Sequence, residues 1–225
     1  MALPALRALA AMSPGRLTLI GAPGDSSLFF YEELSLRTIR ELRASTQEGY
    51  RTVDEATLRE LIGECDLLIS FNTWHSEAVG AVLRSLSGVE TIGFYRGFTH
   101  RVPLTESRHK CDQLFELVQV LDPSLRFQDF AQAPRRPEWV AQAVREFQAN
   151  LPEGARLLAV HTESAASKRW PVERFQRVLG TFLDRHPDWL VLLVDLHAQD
   201  ALRSVSERVL DLAGAPLALA MAMVG

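Results

Sequence analysis

His161-Thr162-Glu163-Ser164-Ala165-Ala166-Ser167-Lys168-Arg169-Trp170-Pro171-Val172-Glu173-Arg174-Phe175 is the stretch that decides the architecture. The residues before it, Arg156-Leu157-Leu158-Ala159-Val160, form a short apolar run that reads as a buried strand ending at His161. The residues after it open a helix over 171–185. Pro171 suits the first helical position, where a missing N–H costs little, and Glu173 in the first turn complements the helix dipole. Between strand and helix lies a loop of small and hydroxylic residues. A strand-to-helix turn in an α/β domain aims backbone N–H groups and a helix N-terminus at the ligand crevice, a position that suits phosphate. Ser164 can donate a hydroxyl hydrogen bond there, and Lys168 can act as a point charge on a diphosphate. The bland alternative makes Lys168 a solvated surface lysine. Glu163 in the same loop counts against an anion, because a carboxylate beside a diphosphate repels it.

Working outward, Trp189-Leu190-Val191-Leu192-Leu193-Val194 reads as the next strand, and 199–213 as a helix stopped by Gly214. Asp200 falls just after that strand, as a ligand contact or a plain N-terminal helix charge. Upstream, Ala131-Gln132-Ala133-Pro134-Arg135-Arg136-Pro137 is polar and bracketed by prolines, which marks a linker, and a helix follows from 138 to about 150. The first half opens with a helix carrying Leu3, Leu6 and Leu9 or Ala10 on one face, with Pro4 in its first turn and Ser13-Pro14-Gly15 as its end. A strand over 16–21 and a turn at Gly21-Ala22-Pro23-Gly24-Asp25 follow. Residues 34–43 have helical spacing, and Asp54 can cap a helix over 55–63. Strands are expected at 66–71 and 90–94, and helices at 77–87 and 111–121. This alternation argues for an α/β architecture with parallel sheets. The expected division is an N-terminal domain over 1–133, a linker and helix over 134–150, and a C-terminal domain over 151–225.

Composition sets the outer limits. Of the 225 residues, 47% are apolar and 23% charged, which supports a packed core and argues against disorder. The net charge of −4 lacks the basic excess of a nucleic-acid binder. Cys65 and Cys111 are too few and too far apart for a disulfide framework, and a reducing cytoplasm is the simpler setting. No apolar run reaches the ~18 residues of a membrane span. The uncharged tail 213–225 reads as a buried helix whose partners lie outside the chain. His75, His100, His109, His186 and His197 show no metal-ligand spacing, so no metal is expected. Arg96, Arg101, Arg108 and Lys110 form a basic stretch, read as a solvated loop or as a contact to an anionic acceptor.

The run from His161 to Pro171 resembles the signature of glycosyltransferase family 9, the ADP-heptose heptosyltransferases of lipopolysaccharide core assembly. In that family a strand ending in His leads through a hydroxylic loop to Lys, one residue, Trp and Pro. Leu3-Pro4-Ala5-Leu6-Arg7-Ala8-Leu9 is similar to the family's first helix. Asp66 to Phe71 with Ile92-Gly93-Phe94, and Ala213-Gly214-Ala215-Pro216-Leu217, fit further family segments.

The resemblance implies a GT-B fold: two Rossmann-like domains with parallel sheets, the first for the acceptor and the second for the nucleotide sugar. It implies that Ser164 and Lys168 contact the diphosphate and that Asp200 lies near the ribose. Glu163 departs from the small or hydroxyl residue usual at its position, and Asp195-Leu196-His197 departs from the usual glycine-rich turn. His161 is expected to be structural and Trp170 a packing residue. The implied reaction transfers heptose from an ADP-sugar to a lipopolysaccharide-core or related surface-glycan acceptor, with inversion and with neither metal nor cofactor. It implies a cytoplasmic protein with at most peripheral contact to the inner membrane. In the family a strand ending in Gly-Asp precedes the first helix and supplies the proposed general base, and a donor-binding segment follows the position of Gly225. Both domains are therefore expected to be incomplete, and no residue here is assigned as the base. The alternative is a catalytically inactive remnant or nucleotide-binding module.

Overall fold

The computed structural model describes residues 2–23, 28–47, 50–74, 76–164, 168–195, 197–215 and 217–224. The chain divides into two compact units, Met1–Arg135 and Arg136–Gly225.

The first unit runs through α1 (Leu3–Met12), β1 (Leu17–Gly21), β2 (Leu36–Glu41), β3 (Ser45–Gln47), β4 (Tyr50–Thr52), α2 (Glu55–Ile62), β5 (Leu67–Ile69), α3 (Glu77–Ser85), β6 (Glu90–Gly93), β7 (His100–Arg101) and α4 (Lys110–Gln119). The small residues of α1 let it seat closely: Ala5, Ala8 and Leu9 bury themselves against Phe115 and Val118 of α4. Asp54 caps α2 by accepting the Thr57 N–H at 2.7 Å, and Ser76 caps α3 through Val79 N–H at 3.2 Å. β1 pairs in parallel with β2, β3 with β4 antiparallel, and β5, β6 and β7 form a parallel sheet. β1 and β5 are not hydrogen-bonded to each other among the described residues. Gly93 at the end of β6 leaves room for the Phe98 ring, which a Cβ there would meet at 2.5 Å and force to shift.

The segment 34–43 corrects the helix expected from its spacing. Leu36, Ile39 and Leu42 fit a helical stripe, but β1 offers a row of backbone partners, and the segment pairs with it from Leu36 to Glu41. Long-range pairing overrides a weak local preference here. Of the turn expected at 21–25, Gly24 and Asp25 lie outside the described residues.

The second unit runs through α5 (Glu138–Ala149), β8 (Arg156–Val160), α6 (Val172–Arg185), β9 (Trp189–Leu193), α7 (Asp200–Arg203), β10 (Val209–Asp211) and α8 (Leu217–Val224). Its sheet is parallel with order β10-β9-β8, so β9 is central. That position explains its continuous apolar run: Val191, Leu192 and Leu193 are fully buried. Leu179 and Leu183 of α6 pack with Val191, Leu193, Leu202 and Val209. Each such fully buried Leu or Val is worth about 1.5–3 kcal/mol of transfer free energy.

Two expectations are corrected here. The helix over 199–213 is only the single turn α7, and the chain then returns as β10, a third strand of the sheet. An unbroken helix would leave that edge of β9 without hydrogen-bond partners. Arg208 holds the turn before β10 by donating to the carbonyls of Leu183 at 2.7 Å and His186 at 2.8 Å. The apolar tail also has a partner within the chain: α8 packs against α5, with Ala222 buried. Among the described residues no helix is long and apolar enough to cross a membrane, and both cysteines are free thiols.

Candidate functional site

The site lies at the carboxyl edge of the second unit's sheet, where the connections after β8, β9 and β10 emerge. In open α/β sheets ligands bind at this edge. β8 and β9 end in register, with Val160 opposite Leu193. The ladder continues one step beyond, as Val194 N–H donates to the Val160 carbonyl at 2.9 Å. The two strands then part, and Asp195 sets the course of the loop.

The Asp195 side chain is fully buried. Its Oδ1 accepts the backbone N–H groups of Thr162 at 2.7 Å and Glu163 at 3.1 Å, and its Oδ2 accepts the Thr162 hydroxyl at 2.7 Å. His161 Nδ1 lies 2.8 Å from Oδ1 and is hydrogen-bonded to the Val194 carbonyl at 3.2 Å. A buried carboxylate is tolerable only when it is this well supplied with donors. The result is a loop start whose backbone is tied to the next strand before it turns toward α6.

Beyond that anchor, Glu163 turns its carboxylate to His197, with Oε1 2.6 Å from Nδ1. Glu163 is largely shielded, its side chain 18% exposed, while that of His197 is 82% exposed. Ser164 is exposed, and its carbonyl accepts Arg169 Nη2 at 3.2 Å. Ala165, Ala166 and Ser167 lie outside the described residues, as does Leu196. Lys168 is exposed on the far side of the loop, and among the described residues no carboxylate pairs with it. Trp170, half exposed, sets its ring 5.5 Å from Phe175 in the first turn of α6. Asp200 opens α7 with an exposed carboxylate 3.8 Å from Arg203. The adjacent Gln199 N–H donates to Asp211 at the end of β10, at 3.0 Å.

The structure thus gathers Glu163, Ser164 and Lys168 on one loop and carries Asp200 on the connection from the neighbouring strand. Sequence reasoning passed over Asp195 and His197 as site residues. Asp195 had a signal: an acid ending the buried run Trp189-Leu190-Val191-Leu192-Leu193-Val194 needs several partners. The remaining polar candidates sit elsewhere. His100 pairs with Glu90 at 2.7 Å, His109 caps α4, and His186 packs on Phe182 at 4.6 Å. His75 lies outside the described residues. In the basic stretch, Arg101 donates to the Phe94 carbonyl at 3.3 Å and Arg108 pairs with Glu116. Resolved pKa shifts fall away from the site. Hydrogen bonds from Thr57 lower Asp54, those from Ser124 lower Asp122, and burial raises Cys65 and Tyr95. Among the described residues no cluster of His, Cys, Asp and Glu could hold a metal ion.

Parallel-sheet α/β units with connecting loops at the strand ends define the class: the fold is that of GT-B glycosyltransferases. The particular structures it resembles are those of glycosyltransferase family 9. The glycosyltransferase family 9 structure from Veillonella parvula superposes with a TM-score of 0.66 at 14% identity, over 99% of this chain and 68% of that one. The E. coli ADP-heptose lipopolysaccharide heptosyltransferase II matches with a TM-score of 0.58 at 14% identity, over 99% of this chain and 71% of that one. The E. coli heptosyltransferase WaaC, in a structure with ADP-2-deoxy-2-fluoro heptose, matches with a TM-score of 0.54 at 14% identity, over 96% of this chain and 72% of that one. No family model matches the sequence, and no curated protein does.

Proposed function

We propose that this chain binds a nucleotide-sugar donor, in the first place an ADP-sugar, through the loop from His161 to Pro171, and serves glycosyl transfer. Lys168 places its ammonium on the diphosphate, Ser164 donates its hydroxyl to the same group, and Asp200 accepts from ribose hydroxyls. The observation that carries this reading is the Asp195 anchor. It fixes the loop's first backbone turn at the carboxyl edge of a parallel sheet, in a fold shared with a structure of WaaC that contains ADP.

In the full reaction an acceptor hydroxyl attacks the anomeric carbon of heptose. The bond to the diphosphate breaks, ADP leaves with its electron pair, configuration inverts, and a base takes the hydroxyl proton. The acceptor is a lipopolysaccharide-core or related surface glycan, met at the cytoplasmic face of the inner membrane through peripheral contact.

Titration calorimetry of the full chain with ADP tests the binding step. Lys168→Ala is expected to weaken ADP about tenfold or more, by loss of a charge-assisted contact. Unchanged affinity removes the phosphate assignment. ADP binding without transfer from ADP-heptose to an acceptor glycolipid supports instead a nucleotide-binding module that performs no chemistry.

A further inference from the structure

Glu163 is the one residue of the loop whose charge opposes a diphosphate, and its position shows how that charge is met. Its carboxylate lies under the His197 imidazole, 2.6 Å from Nδ1, and is shielded where the imidazole is open to solvent. The backbone that carries it cannot swing away easily, because the Glu163 N–H is held by Asp195 at 3.1 Å. An imidazole engaged at Nδ1 by a carboxylate keeps Nε2 for a second partner, and in the protonated ring Nε2 is a charged donor.

We propose that His197 is a further binding residue for the donor diphosphate, with Glu163 as the positioning carboxylate that orients the ring; this rests on the nucleotide reading above. The pair converts a repulsive acid into the support of a cation. The anion then meets Lys168, Arg169 and His197 on the loop and its neighbour, rather than an open carboxylate.

The other charged groups around His197 have their own partners. Asp195 is occupied by His161, Thr162 and Glu163. Asp200 faces Arg203 across 3.8 Å. Asp211 accepts the N–H groups of Gln199 and Ala213. Among the described residues Glu163 is the only carboxylate in ion-pair reach of His197. A ring that serves Glu163 at Nδ1 and the diphosphate at Nε2 donates at both nitrogens, which only imidazolium does.

The test is calorimetry of the full chain with ADP at pH 7, in two buffers of different ionisation enthalpy. The wild-type chain is expected to take up a fraction of a proton on binding. His197→Ala abolishes that uptake and weakens ADP about two- to fivefold, the range for a charged contact at an exposed position. The double variant Glu163→Gln/His197→Ala recovers part of the affinity, because the charge opposing the diphosphate is gone while the imidazole contact stays lost. Unchanged affinity and proton uptake in His197→Ala, with Lys168→Ala still weakened, overturn the proposal and leave the nucleotide reading in place. A weakened single variant with no recovery in the double variant overturns the pairing with Glu163. A wild-type chain that does not bind ADP removes both readings together.

Discussion

Replacing Asp195 by Leu tests whether one buried carboxylate organises the site edge of the second unit. The substitution removes the acceptor of the Thr162 N–H, the Thr162 hydroxyl and the Glu163 N–H, and the carboxylate beside the His161 ring. Hydrogen bonds to a charged partner are worth a net ~1.5–3 kcal/mol each, and each buried donor left unmatched costs about 1–3 kcal/mol. These terms do not add, and removing the buried charge relieves its own desolvation. With Thr162 itself buried and the Asp195 side chain wholly so, the expected loss is about 3–5 kcal/mol for Leu. Asn keeps the shape and one acceptor oxygen for the two backbone N–H groups, and is expected to cost about 1–2 kcal/mol. Urea unfolding followed by tryptophan fluorescence reads the unit directly, since Trp189 begins β9. Calorimetry with ADP on the Asn variant then separates loop placement from global stability. A Leu variant within about 1 kcal/mol of wild type, or an Asn variant as damaged as Leu, refutes the reasoning.

Two further predictions concern the first unit. Arg7 is almost buried and donates to the carbonyls of Phe130 at 2.9 Å and Gln132 at 2.5 Å while pairing with Glu33, which also accepts the Arg135 N–H at 3.2 Å. Arg7→Met is expected to cost about 2–4 kcal/mol and to speed protease cleavage within 131–137; an unchanged cleavage rate counts against the clamp. For Asp54, the Thr57 hydroxyl and then its N–H hold the carboxyl below its ordinary 3.8. A depressed acid contributes stability above its unfolded value and loses it as pH falls through the folded one. The gap between wild type and Asp54→Ala in thermal unfolding is therefore expected to be constant from pH 7 to about pH 5 and to shrink below about pH 4. A gap that persists at pH 3 contradicts the cap's electrostatic part.

What could be read from the sequence was whatever local pattern determines. The runs that became β8 and β9 are short, apolar and bounded by turn residues, and the prolines at 4 and 171 marked helix starts. β2 and β10 were hidden for a common reason. Leu36, Ile39 and Leu42 in one case, and the alternation of polar and apolar residues over 199–213 in the other, satisfy a helical stripe as well as a strand. The choice is made by an open row of N–H and C=O groups on β1 and on β9, which no window of the sequence contains. The same holds for α8, whose partner α5 lies far upstream.

The site divides along the same line. Ser164 and Lys168 are candidates on local grounds, a hydroxyl and a lysine between a strand and a proline-led helix. Asp195 and His197 are not, because they act across 33 and 34 residues of chain, through the register that sets Val160 against Leu193. Register also changes what Glu163 means. Taken alone in the loop, its charge argues against an anion. Set opposite His197, the same carboxylate has an imidazole partner 2.6 Å away. Moving β9 one residue along β8 would part Glu163 from His197 and put Asp195 on the wrong face of its strand, since successive side chains alternate sides. The placement of Asp195 and Glu163 at this edge therefore depends on the apolar core that fixes the register, through Val191, Leu193 and Leu179.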